Sequence, residues 1–397
     1  MKLAASDAHL TYCTNIHPGE SWAEVRANVE THVVAVKALV CPHAPFGVGL
    51  RLSARAAEEL RQPHELAAFA ELLKARGLYV FTINGFPHGA FHAARVKENV
   101  YLPDWRDPAR ARYSTCLAEV LAALLPRGMT GSVSTVPGAF RSALTAPGDT
   151  ARMVNELVEH CASLVRLFDT TGKQITLALE PEPMCFLETT AEAVRFFEEH
   201  LFAGAARARL ASLTGQGPAR AEESLRRHLG VCFDACHAAV EFEDARASLD
   251  ALDRAGIAIA KIQITTALEA KVDGALRREL TRFVDDVYLH QVVIADRGKL
   301  ARYVDLPEAL ERGPDGVWRI HFHVPVFQRE LGSFANTQSH LRDVLSVVRE
   351  RGVSTHLEIE TYTWDVIPEP FRAGDAVTAI AREIEWTRAE LGQASST

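Results

Sequence analysis

Short apolar runs recur along the chain, and between them lie stretches whose apolar positions fall three and four apart. The first run, HLTYCTN (9–15), leads into SWAEVRANVETHVVAVKAL, where Ser21 and Glu24 three positions on predict a capping box. FGVGLRLS (46–53) precedes a helical pattern that stops at Arg76 and Gly77. LYVFTING (78–85) is third, followed by a long loop (85–105) and a helix from about 107 to 125. GSVSTVPG (131–138) precedes a helix from about 149 to 171, and QITLALEPEP (174–183) is the fifth run. After it come TTAEAVRFFEEHLF, a Gly/Ala/Arg-rich connection and a short helix around 219–229. VCFDACH (231–237), AIAKIQIT (258–265) and HLEIETYTW (356–364) complete eight runs. A helix over about 375–391 precedes a frayed tail, GQASST. Eight strands alternating with helices predict a closed parallel (β/α)₈ TIM barrel, with residues 1–397 as a single domain.

Two further β-like runs, YLHQVVIAD (288–296) and WRIHFHVPVF (318–327), lie between the seventh and eighth strands. The helical pattern TQSHLRDVLSVVRERG (337–352) follows only afterwards. The spacing predicts a hairpin-like β excursion, about 286–330, inserted between strand seven and its helix. That is the side on which barrel enzymes carry their catalytic loops, so the excursion is expected over the mouth.

Composition narrows the class. The 397 residues are 48% hydrophobic and 24% charged, enough for a large core, and the formal net charge is −8. Scattered arginines on an acidic chain argue against nucleic acid as a partner. The opening MKLAASDAHLTYC has no apolar stretch of signal length, and HVVAVKALV (32–40) is too short to span a bilayer. Seven dispersed cysteines fit reduced thiols. A cytoplasmic protein without membrane insertion, acting on a small molecule and compatible with a homo-oligomer, is expected.

Candidate chemistry gathers at the strand ends. Thr176, Ala178 and Glu180 share one parity, and Pro181 ends the ladder directly after Glu180. Asp234 and His237 stand at the end of strand six, Lys261 and Gln263 share a parity on strand seven, and His356, Glu358 and Glu360 do so on strand eight. Each has an ordinary explanation: a solvated glutamate before proline, an Asx-type turn, or a wet sheet face. Together, acids from several strands converge cheaply only around a divalent cation, Mn²⁺, Mg²⁺, Co²⁺ or Zn²⁺, and oxygen-rich ligation favours the first three over a Cys/His zinc site. His321 and His323 share a face within the excursion. Arg51 is a candidate for an anionic substrate group, and His9, His17, Asn84, His88 and His92 for substrate hydroxyls. Cys232 and Cys236 flank Asp234, and as a zinc pair they would need two more ligands nearby.

LEP on strand five, D-x-x-H on strand six and a glutamate closing strand eight resemble the xylose-isomerase-like barrels. That superfamily includes sugar isomerases, ketose epimerases and endonuclease IV. More narrowly, LTYCTNIHPGESW (10–22), INGFPHGAFH (83–92), VKENVYLPDW (96–105), HFHVPVF (321–327) and HLEIETYTW are similar to the EboE family of bacterial metabolite-traffic gene clusters. The resemblance implies one divalent ion held by Glu180, Asp234, a strand-seven histidine and Glu360, with His237 contacting substrate oxygens. The strand-seven histidine is missing, so Gln263 or His323 is expected in its place. Glu358, one layer deeper than Glu360, is expected to partner Lys261 or His356.

The leading expectation is a metal-dependent isomerase or epimerase of a sugar, sugar phosphate or cyclitol-like polyol. Glu180 and Glu360 would move the proton, and Arg51, Asn84, His88, Lys261 and His321 would bind substrate. A non-catalytic metabolite-binding protein is a second reading. An endonuclease IV-like hydrolase is a third, disfavoured by a ligand set poor in histidine.

Overall fold

A computed structural model of the chain describes residues 1–4, 6–92, 95–372 and 374–392. Seven strands come first: β1 (His9–Tyr12), β2 (Phe46–Arg51), β3 (Leu78–Asn84), β4 (Gly131–Thr135), β5 (Ile175–Leu179), β6 (Leu229–Asp234) and β7 (Ala258–Ile264). Then follow β8 (Ala267–Val272), β9 (Val292–Asp296), β10 (Lys299–Tyr303), β11 (Gly316–His323), β12 (Glu330–Leu331), β13 (Phe334–Asn336) and β14 (His356–Ile359).

The expected barrel forms from β1–β7 and β14. These eight strands pair in the order β1-β14-β7-β6-β5-β4-β3-β2, and every pair with described register is parallel. A parallel bridge between Cys13 and Gly49 brings the two ends of the sheet together. The strands are buried almost throughout, as expected when helices cover one face and side chains fill the other.

The first helical stretch begins where its sequence says it should. Ser21 accepts from the Glu24 N–H and the Glu24 side chain caps back, satisfying two donors that the first turn leaves free. A helix also forms over Gly204–Thr214, where the sequence was read as a connection. Its alanines favour the helix, but their spacing draws no apolar stripe to betray it. The expected frayed tail lies outside the described residues from 393 onward. No helix among the described residues is long and apolar enough to cross a membrane.

The excursion is larger than a hairpin and extends beyond 286–330 at both ends. A six-stranded antiparallel sheet, β10-β9-β11-β8-β13-β12, spans Ala267 to Asn336. The two runs seen in the sequence do pair, as β9 with β11, but β8 flanks β11 on its other side. ALEAKV gives little β-forming signal in the sequence, because alanine, Glu269 and Lys271 are poor strand formers. The β9–β10 hairpin turns on Arg297 and Gly298, with φ of 46° and 79°, the positive pair that a type I′ turn requires.

One glycine shows how tightly the barrel is filled. A Cβ on Gly49 of β2 would stand 1.9 Å from Glu358 Oε1 and 2.6 Å from the Tyr12 carbonyl. Gly49→Ala should therefore destabilise the fold by about 3 kcal/mol, the upper range for overpacking. Denaturant unfolding of the purified variant measures it, and an unchanged midpoint would contradict this packing.

Candidate active site at the barrel mouth

Polar side chains fill the barrel in layers that rise along β14. At the bottom His356 Nδ1 shares a 2.8 Å hydrogen bond with Ser132 Oγ, which is 2.8 Å from Thr82 Oγ1. One layer up, Lys261 Nζ lies 2.5 Å from Glu358 Oε2, and neither side chain has any solvent exposure. Burial, the largest influence, pulls the ammonium's pKa down, but the facing Glu358 carboxylate together with the Cys232 and Cys13 thiols outweighs it and leaves it raised. Lys261 is thus committed to Glu358 beneath the mouth, and the substrate-binding role expected of it has no geometric support.

The upper layer brings three acids together. Carboxylate oxygens of Glu180, Asp234 and Glu360 lie within 4.8 Å of one another, all buried. Asp234 ends β6 and caps the short helix Ala235–Val240. Its Oδ1 accepts from the N–H groups of Cys236 (2.7 Å) and His237 (3.0 Å) and from Thr265 Oγ1 (2.6 Å). The local-turn reading of Asp234 is therefore correct for one oxygen, while Oδ2 has no hydrogen-bond partner. Glu360 Oε1 accepts from Asn15 Nδ2 at 2.6 Å and Asn84 Nδ2 at 2.8 Å. Glu180 Oε2 is buried without a partner. One oxygen of Asp234 and one of Glu360 are held by fixed donors, and free carboxylate oxygens on Asp234 and Glu180 share the same space.

Burial, and then the neighbouring Glu360 and Asp234 charges, push Glu180 well above the usual carboxylate range. Burial followed by the Asp234 and Glu358 charges raises Glu360 to about 8. Such a group is compatible with a divalent cation, which would neutralise the repulsion. Without one, the folded chain binds protons that the unfolded chain has released. Between the ordinary glutamate value of 4.5 and the folded value of about 8, the stability that Glu360 contributes falls as pH rises, while buried histidines held low by burial, such as His160 and His356 at about 3, oppose it below the ordinary histidine value of 6.5. Relative to Glu360→Gln, the metal-free protein should therefore lose about 5 °C of Tm from pH 5 to pH 8, and a saturating divalent ion should abolish that loss. Thermal unfolding of both proteins with and without chelator tests this; identical metal-free profiles would contradict it.

Three histidines stand beside the acids. His237 follows Asp234 on its short helix, whereas His321 and His323 lie at the end of β11, with Phe322 on the opposite face against Phe283. His321 Nε2 is 3.1 Å from His237 Nε2 and 3.2 Å from His323 Nε2. Burial and the adjacent imidazoles hold His321 far below the usual histidine pKa, and burial lowers His323 to about 4. The expectation of a site poor in histidine is overturned, because two of the three arrive from the inserted sheet.

Glu180, Glu182, Glu360, His237, His321 and His323 all line one cavity at the mouth. Its outer wall is aromatic and aliphatic: Phe86, Phe91, Val96 and Tyr101 come from the 85–105 loop, and Tyr288 from the insertion. The loop is pinned to the insertion through Lys97, whose Nζ lies 2.7 Å from Asp305 Oδ2.

Other expected residues fall elsewhere. Arg51 is buried, giving its guanidinium to the Gly19 and Gly89 carbonyls and to Glu20, so it braces loops and does not reach the cavity. His88 packs against Tyr113, His9 against Tyr79 and His17 against His32, all off the cavity wall. His92 bonds the Asn15 carbonyl and Tyr288 Oη. Asn84 reaches Glu360 as a positioning donor. Gln263 is fully buried beside Asp234 and Glu358 in the strand register, with neither amide atom hydrogen-bonded. Cys236 Sγ lies within 4.8 Å of ligand atoms of His321 and His323.

Sequence reasoning missed Asn15, Glu182 and Gln291. Glu182 Oε1 accepts from Tyr101 Oη (2.7 Å) and Gln291 Nε2 (3.1 Å), leaving Oε2 unpartnered. Its signal was present, two residues beyond Glu180 in EPEP. Asn15 and Gln291 carried none, since their partners are distant in the chain.

No family model and no curated protein matches this chain. Solved structures do. A xylose isomerase-like TIM barrel protein from Mycobacterium smegmatis in complex with magnesium aligns over 97% of this chain and 96% of its own, at 10% identity and a TM-score of 0.51. The fold is a xylose-isomerase-like TIM barrel. D-psicose 3-epimerase in the presence of D-fructose covers 97% of this chain and 99% of its own, at 13% identity and a TM-score of 0.47. The IOLI protein with a zinc atom covers 96% and 97%, at 13% identity and a TM-score of 0.45.

Proposed function

We propose that the chain is a single catalytic domain, a divalent-metal-dependent isomerase or epimerase of a sugar, sugar phosphate or cyclitol-like polyol, of EboE type. The observation that carries this reading is the buried convergence of Glu180, Asp234 and Glu360 beneath a small-molecule cavity. Asp234, Glu180 and Glu360 would hold the ion, with the unpartnered amide of Gln263 as a further oxygen donor. The ion would supply a Lewis acid that acidifies the C–H between a carbonyl and its neighbouring hydroxyl.

The remaining work belongs to the chain's own groups. Glu180 and Glu360 take the proton from one face of the carbon and return it on the other. Asn15 and Asn84 fix Glu360 Oε1, so the carboxylate reacts from one orientation. Glu182, held by Tyr101 and Gln291, keeps an oxygen free for a substrate hydroxyl. The outer wall of Phe86, Phe91 and Tyr288 keeps bulk water from the reacting carbon.

The test is solvent-deuterium incorporation at the carbon next to the carbonyl across ketoses, aldoses, their phosphates and keto-polyols. The metal-loaded protein should exchange at least one. Stoichiometric binding of such a compound without exchange would favour the traffic reading instead.

The three convergent imidazoles favour a second reading, metal-dependent hydrolysis, over the weight the sequence alone assigned it. Oxygen-18 uptake from water into a cleaved ester, with no deuterium exchange, would select it.

A further inference from the structure

We propose that the mouth cavity takes an uncharged carbonyl polyol whose end remote from the reacting carbon is apolar, a deoxy or alkyl- or aryl-substituted compound and not a sugar phosphate. This narrows the substrate class of the proposed isomerase, and it rests on that reading for the place of the reacting carbon.

A phosphate is held by arginine, by lysine or by a group of free N–H donors. Among the described residues, Lys97 is the sole lysine or arginine on the cavity wall. Its ammonium is already matched, with Nζ 2.7 Å from Asp305 Oδ2 and 2.9 Å from the Asp285 carbonyl. The imidazoles offer no free nitrogen either. His237 Nδ1 faces the Pro181 carbonyl, His321 Nδ1 faces Gln291 Oε1, and His323 Nδ1 faces the Glu360 carbonyl. Their Nε2 atoms face one another, meeting at His321. Glu180, Glu182 and Glu360 line the inner end of the same cavity, and their carboxyl groups would oppose a dianion.

The outer wall is built from Phe86, Phe91, Val100, Tyr288, Leu289 and Tyr362. Phe91, Tyr288 and Tyr362 come from three separate segments, yet their ring centroids lie 5.1–5.3 Å apart. Tyrosine hydroxyls do little to soften this surface. Tyr288 Oη is bonded to His92 Nδ1, and Tyr101 Oη donates to Glu182 while accepting from Gln291. What these two offer a substrate is ring surface. A substrate hydroxyl set against the wall would lose its water and gain no partner, whereas a methyl or aryl group would simply be buried. The polar end belongs opposite, where Glu182 Oε2 is buried and unpartnered.

The experiment uses the full-length chain loaded with Mn²⁺ and two matched sets of probes, one built on a ketohexose and one on a keto-inositol. Each set holds the parent compound, a deoxy member and a monophosphate, and binding is measured by titration calorimetry. In at least one set the deoxy member should bind about 10-fold more tightly than the parent, and the monophosphate at least about 100-fold more weakly. Asp305→Asn keeps an oxygen for the Leu306 and His290 N–H groups but releases the charge of Lys97. That variant should bind the monophosphate at least about 10-fold more tightly than wild type does. A monophosphate that binds as well as its parent, a parent preferred over its deoxy member in both sets, or no binding by any uncharged probe would each overturn the proposal. So would an unchanged monophosphate affinity in folded Asp305→Asn; should that variant fail to fold, as circular dichroism would reveal, the wild-type ranking decides by itself. The expected ranking without deuterium exchange into any probe would count against the isomerase reading and leave the substrate class standing.

Discussion

Glu180→Gln and Glu360→Gln should each lower solvent-deuterium exchange by about 10³-fold or more, within the range that a positioned acid or base contributes. Both are near-isosteric, and neither residue carries an ion pair on which the fold relies. In the metal-free chain each removes a carboxylate that burial already disfavours, so Tm should hold or rise at pH 8. Rate loss with retained stability is the signature of a group that acts on substrate rather than on the fold. The two variants should also differ. Glu360 Oε1 accepts from both Asn15 and Asn84, so a glutamine there keeps its carbonyl oxygen on those donors and places its NH2 where Oε2 stands. Glu180 Oε2 has no partner, so no donor fixes which end of a glutamine amide takes its place. Exchange persisting in both variants would sink the proton-transfer mechanism.

Lys261→Met should be the most destabilising single change in the barrel interior, at about 3–5 kcal/mol. The cost arises from what it leaves behind: Glu358, with no exposure and with a glycine opposite because nothing larger fits. Replacing both partners, Lys261→Met with Glu358→Gln, should recover most of the loss, because no uncompensated charge then remains. A double-mutant cycle by denaturant unfolding measures this coupling. If Lys261→Met costs under about 1 kcal/mol, the pair is not what holds this layer.

The separation of Glu358 from Glu360 was legible because it follows from period-two alternation along a single strand. Depth along that strand then assigns one carboxylate to the packed interior and the other to the mouth. The same logic made Glu180 and Asp234 visible at the ends of β5 and β6. It placed His237 just past the end of strand six, and the structure has it there, on a short helix capped by Asp234 and lining the cavity. It failed for Arg51, whose place near a strand end suggested a substrate contact. Its guanidinium is instead consumed by loop carbonyls that no local pattern could supply.

By itself the sequence determined the rhythm of eight strands and their helices, the capping at Ser21, and which residue types stand at each strand's exit. Those features depend on backbone periodicity and on neighbours a few positions away. The sequence offered His321 and His323 from an excursion over the mouth, but only the tertiary structure decided that they meet His237 there, because β11 reaches the mouth through its pairing with β8 and β9. The tertiary structure alone supplied Asn15 to Glu360 across 345 residues and Gln291 to Glu182 across 109. Contacts of that range exist only once the barrel has closed and the inserted sheet has docked, and no periodicity in the chain encodes them.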